Sequence, residues 1–153
     1  MYINNGVIFL KNYISGFILS FILYIILATV NQQVYNNTMS LDLLMPLLVI
    51  QIFFYKYLIT MKKRLPYVIL VFIFLLSVFF SIPELTQNQS KEKVIHNFEM
   101  VIEIDGTVPI IDDNIWNPFN SNRAYFFKGY STKLEKDISV MINASTGKVI
   151  VMD

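Results

Sequence analysis

Residues 65–82 read LPYVILVFIFLLSVFFSI, eighteen positions without a charge. A bilayer core is crossed by about 20 largely apolar residues, with a range of roughly 17–25, and this stretch lies within that range. Two others resemble it. Residues 14–30 carry no charge, and residues 41–59 hold Asp42 near their start and Lys56 near their end. Charged heads at such terminal positions reach the interface by snorkelling. As helices of a soluble protein these stretches would have no solvated face. The sequence therefore predicts three transmembrane helices within residues 1–82. The rival for the first stretch is a cleaved signal, with Lys11 before it and Ala28-Thr29-Val30 at its end. Its apolar run exceeds the ~7–15 residues of such signals, so it reads as a retained helix.

Composition agrees. The chain of 153 residues is 55% apolar, against roughly 45–50% for ordinary soluble domains. The excess lies before Pro83, where only Asp42 is acidic. A net charge of +1 gives no field for nucleic acid. With no cysteine, disulfides, thiolate metal sites and cysteine nucleophiles are excluded. Abundant Asn, Ile, Lys, Phe and Tyr suggest an AT-rich bacterial genome.

Orientation follows from the connections. Lys62, Lys63 and Arg64 follow the second stretch, whereas residues 31–40 carry no Lys or Arg, and Lys11 lies in the N-terminal arm. The positive-inside rule puts the basic connection and the N-terminus in the cytoplasm, so residues beyond Pro83 are expected outside, on a multi-pass protein of the cell membrane. Tyr13, Tyr57 and Tyr67 would mark the inner boundary and Tyr35 the outer one. Gly16 and Ser20, and likewise Ser77 and Ser81, are four apart and predict helix-packing faces. Pro46 is expected to bend the second helix or sit in its first turns. Gln51 reads as an interhelical hydrogen bond or as the lining of a path.

Beyond the helices, residues 83–93 (PELTQNQSKEK) read as a linker and residues 94–153 as a mainly antiparallel β domain of about four strands. Phe98, Met100, Ile102 and Ile104 alternate with polar positions and predict a strand over 97–104. Asp105-Gly106 reads as a turn, and residues 107–111 as a short edge strand limited by Pro109. Residues 112–123 read as loop and 124–128 (AYFFK) as an aromatic strand. Residues 138–142 and 148–152 form a hairpin around Ala144-Ser145-Thr146-Gly147.

The closing stretch ISVMINASTGKVI, residues 138–150, resembles the terminal hairpin of PepSY-type domains, with their Asp/Asn-Ala-x-Thr-Gly-Lys/Glu turn. The resemblance implies a small extracytoplasmic module of inhibitory or regulatory kind. It also implies an amphipathic helix before the sheet, which the sequence here does not display.

Chemistry-bearing residues are sparse. His96 has no organising carboxylate and reads as a strand-edge residue. Asp105, Asp112, Asp113 and Asn114 do not follow a calcium-loop spacing. Glu99 and Glu103 read as the solvated face of a strand. No catalytic residue, metal or cofactor is expected. The distinctive segment is Ile115-Trp116-Asn117-Pro118-Phe119, with the chain's one tryptophan. It reads as a cap on the sheet, an interfacial anchor, or a contact for a protein partner through Trp116, Phe119, Asp112 and Asp113. Two functions fit: a membrane anchor for an extracytoplasmic binding or regulatory domain (an immunity-type protein or accessory subunit), and an oligomeric transport component with Gln51, Ser20 and Ser77 facing inward.

Overall fold

The computed structural model describes residues 3–60, 64–110 and 117–152. The chain forms two compact units, Met1–Thr29 with Leu41–Phe79, and Val30–Ser40 with Phe80–Asp153.

The first unit is helical. It holds most of α1 (Ile3–Tyr35), all of α2 (Leu44–Thr60) and most of α3 (Arg64–Ser81). Pro46 and Pro66 both stand third in their helices. A first-turn N–H has no intrahelical acceptor, so proline costs little there. Tyr13–Tyr35 and Arg64–Ser81 are long and apolar enough to cross a membrane, while the apolar run of α2, Leu44–Tyr57, is shorter. Only 11% and 17% of the two longer runs is buried. A soluble core helix would be mostly buried, and these instead present Phe17, Ile22, Phe72 and Phe79 outward. Where α1 meets α2, a Cβ on Gly16 would lie 3.0 Å from the Ile52 carbonyl oxygen and 3.2 Å from Tyr55 Cβ. The absent side chain is what lets the two backbones approach.

The second unit opens with the end of α1. Residues 31–35, expected as loop, continue the helix, which Asn36 and Asn37 close in the left-handed region (φ 46° and 61°). The Asn31 side chain then accepts from Met39 N at 2.9 Å and donates to Met39 O at 3.3 Å, folding the connection back.

The expected linker is largely helix. α4 spans Gln87–Phe98 and begins in a capping box: Thr86 accepts from Gln89 N, and the Gln89 side chain accepts from Thr86 N. Consequently the strand expected from residue 97 starts at Met100, and His96 sits exposed in the last turn of α4 rather than at a strand edge. Glu99 is the left-handed cap (φ 47°). The turn after β2 satisfies the carbonyls of that terminus: Lys133 Nζ donates to Asn97 O at 3.0 Å and Thr132 Oγ1 to Glu99 O at 2.9 Å.

Four strands follow, β1 (Met100–Pro109), β2 (Arg123–Ser131), β3 (Lys136–Asn143) and β4 (Val149–Met152), in the antiparallel order β1-β2-β3-β4. The turn expected at Asp105-Gly106 is absent, and β1 runs straight through it. A bulge at Glu103 interrupts its alternation. Ile102 pairs with Gly129 and Ile104 with Lys128, so one residue is extra and the inward and outward positions exchange. Ile104 therefore turns to the exposed face, while Asp105 joins the α4 side and meets Lys91 at 3.5 Å. The bulge requires Gly129, since a Cβ there would stand 2.0 Å from the Val101 carbonyl oxygen. Val94 of α4 packs with Met100, Tyr125, Phe127, Ile138, Val140, Ile142 and Ala144 in one core.

Two substitutions test this packing, read as thermal unfolding of the sheet. Gly129→Ala is expected to cost about 2 kcal/mol or more, as overpacking does. Ser90, fully buried on α4, has a hydroxyl without a hydrogen-bond partner among the described residues. Ser90→Ala is expected to stabilise by about 1 kcal/mol, the cost of an unsatisfied buried group.

Candidate functional site

Tyr125, near the start of β2, is fully buried and ties three segments of the second unit together. Its hydroxyl donates to the Leu85 carbonyl at 3.0 Å and stands 3.0 Å from Thr38 Oγ1. Thr38 in turn donates to the Tyr35 carbonyl at 2.6 Å. Burial pushes the Tyr125 hydroxyl above its ordinary value, Tyr35 adds to the rise, and the Thr38 hydrogen bond opposes it. Ser81 Oγ donates to Ser40 O at 2.5 Å, and Asn117 Nδ2 donates to Phe80 O at 3.3 Å. These bonds hold the ends of α1 and α3 to the start of β2 and the loop before it.

Residues 117–120 of that loop are held by their own side chains. Asn117 Oδ1 accepts from Phe119 N at 3.0 Å and Asn117 Nδ2 donates to Asn120 Oδ1 at 2.8 Å, an Asx turn. Ser121 N donates to Ser145 Oγ at 3.0 Å, joining the loop to the β3–β4 turn. Phe119 is half-buried. Trp116, Asp112 and Asp113, and with them Asn114 and Ile115, lie outside the described residues.

The sheet offers a broader surface. α4 covers the face of Tyr125, Phe127 and Val140. The opposite face sets Val101 beside Tyr130, Ile104 beside Lys128, and Met141 between Phe126 and Ile150. Val101 is 64% exposed, Ile104 53%, Ile150 44% and Tyr130 42%. A solvated face of an antiparallel sheet is ordinarily polar, and here Lys128, Asp137 and Ser139 are set among aliphatic and aromatic neighbours. Sequence reading misses this surface because the bulge moves Ile104 onto it.

Within the first unit, Ser20, Gln51 and Tyr67 join the three helices. Ser20 Oγ donates to Gln51 Oε1 and to the Leu48 carbonyl (3.1 Å), and Gln51 Nε2 donates to Tyr67 Oη at 3.4 Å. The Gly16 and Ser20 face thus packs on α2. Ser77 bonds back to Ile73 O at 2.9 Å on its own helix, and Ser81 serves the second unit. Glu99 and Glu103, expected on one strand face, are a helix cap and a bulge. Among the described residues, no three His, Asp or Glu side chains stand together as a metal site.

No protein-family model, curated protein or solved structure matches the chain.

Tyr125→Phe leaves the Leu85 carbonyl without its donor and is expected to cost about 2 kcal/mol. Because the folded-state value of Tyr125 lies above the unfolded ~10, its contribution is complete below about pH 10 and is lost as pH rises through the folded value. Stability against unfolding, measured from pH 8 to 11, should therefore fall more steeply for the unaltered protein than for Tyr125→Phe.

Proposed function

We propose that the chain is a three-span membrane protein that anchors an extracytoplasmic binding or regulatory domain, in the manner of an immunity-type protein or an accessory subunit of a membrane complex. The observation that carries the binding part is the apolar outward face of the sheet, with Val101, Ile104, Tyr130 and Ile150 exposed together on a small ordered domain. Contiguous apolar surface of this kind marks interaction sites. The membrane part is supported by the apolar exteriors of α1 and α3. It assigns α2 as the third span, its 17 residues standing at the short end of the crossing range. The orientation rests on the distribution of Lys and Arg in the connections.

The PepSY-type resemblance of residues 138–150 belongs to the same proposal. It is supported by the turn sequence and by the order of elements, a helix before the sheet. The transport reading has less behind it, since Ser20 and Gln51 bond to each other and Ser77 to its own helix.

Site-specific photocrosslinking in the native membrane tests the proposal. A photoreactive residue at Ile104, on the outward face, is expected to give one discrete protein adduct, and one at Glu92, on the exposed side of α4, none. Equal adducts at both positions, or none at Ile104, would remove the face as a binding surface.

A further inference from the structure

Between α2 and α3 lies a groove of 350 Å³ within the first unit, lined by Leu47, Ile50 and Phe54 on one side and Ile69, Leu70 and Ile73 on the other, with Pro66 at one end. Its volume is that of a ligand site, which runs ~300–1,000 Å³. The lining from Leu47 to Phe54 covers roughly 10 Å along the helix axis at 1.5 Å per residue. That is within the ~15 Å of a single leaflet's hydrocarbon.

The lining contains no glycine, alanine or serine. Transmembrane helices associate through such small residues, which let backbones approach, so the groove suits a flexible hydrocarbon chain better than a helix. The charges of the sequence that forms α2, α3 and their connection have one sign. Between Asp42 and Glu84 the sequence contains no acidic residue, and its charged residues there are Lys56, Lys62, Lys63 and Arg64. Arg64 is exposed in the first turn of α3, two residues before Pro66. The connection from α2 to α3 is three residues long and holds Lys62 and Lys63 in sequence. Lys56 is held over the Tyr13 ring at 5.0 Å.

Resting on the membrane reading above, we infer that this groove is a binding site for one acyl chain of an anionic phospholipid. The headgroup meets Arg64, two residues from Pro66 at that end. The charged end and the apolar trough together select a lipid with a negative headgroup from the leaflet on the side of the α2–α3 connection. Each basic residue near a membrane surface contributes attraction equivalent to about a five-fold preference.

The test uses the full chain reconstituted in vesicles of equal phosphatidylglycerol and phosphatidylcholine, extracted in mild detergent, with retained lipid counted by native mass spectrometry. One phosphatidylglycerol per chain is expected, in excess over phosphatidylcholine. Leu70→Trp, which fills the groove, should abolish retention, with circular dichroism reporting whether the helices persist. Arg64→Gln, at an exposed position that leaves the groove intact, should keep a bound lipid and lower the phosphatidylglycerol excess about five-fold. Equal retention of the two lipids overturns the inference, as does undiminished retention in a helical Leu70→Trp. If Leu70→Trp loses its helices, an unchanged lipid preference in Arg64→Gln overturns it alone. A chain that does not float with the vesicles overturns the membrane reading and this site with it. One that floats but retains no lipid overturns only the site.

Discussion

Apolar side chains on every side of a helix are stable only where water is absent. Exposed to water, such surface costs about 25 cal/mol for each Å² that burial would have removed, and α1, α2 and α3 carry Phe, Ile and Leu all around their circumference. The helices do not remove this surface by packing on one another. They meet instead at small points: Gly16 against the backbone of α2, and Ser20, Gln51 and Tyr67 in one hydrogen-bonded chain. In a solvent of hydrocarbon that is the expected division of labour, because packing and polar contacts hold helices together where the hydrophobic effect between them is missing. The membrane reading, the proposed span of the short α2 and the proposed lipid site all depend on that constraint.

The second unit follows the opposite rule. Its core is a conventional one, a helix laid across an antiparallel sheet, with Tyr125 central and its hydroxyl satisfied by Leu85 and Thr38. Without those partners a buried hydroxyl would be costly, so the helix-tip connection and the sheet must be formed together. The bulge at Glu103 and the bare backbone at Gly129 then decide which side chains of β1 face outward. A single extra residue supplies the ion pair of Asp105 with Lys91 and gives Ile104 to the exposed face. That exchange of faces adds Ile104 to Val101, Tyr130 and Ile150 on the apolar surface proposed to bind a partner.

The long apolar runs, the hairpin around residues 144–147 and the aromatic strand were legible in the sequence because each is a strong periodic or compositional signal. α4 was not. Only Ser90 and Val94 of its twelve residues are buried, too few to register as a helical stripe, and its run of Gln, Asn, Lys and Glu reads as linker. Its one usable signal is local, the Thr86-Gln87-Asn88-Gln89 capping box. β1 is hidden in the sequence for a different reason: Asp105-Gly106 has turn chemistry, but pairing with Phe127 and Phe126 keeps it extended. The candidate site divides in the same way. Gly16, Ser20 and Gln51 stand out in the sequence by type and spacing, whereas the outward face of the sheet depends on register, which no local pattern encodes. The acidic and tryptophan positions singled out before Asn117 lie outside the described residues.

The central claim is a membrane protein whose C-terminal domain lies outside. The absence of cysteine makes it directly measurable, since a single introduced thiol is the chain's only one. Thr146→Cys, in the exposed turn between β3 and β4, and Asn5→Cys, near the start of α1, would each be treated in intact cells with a membrane-impermeant maleimide. The account expects labelling at Thr146→Cys in intact cells, and at Asn5→Cys only after permeabilisation. Labelling of Asn5→Cys and not Thr146→Cys in intact cells would reverse the orientation, and recovery of both variants in the soluble fraction would contradict the membrane assignment itself.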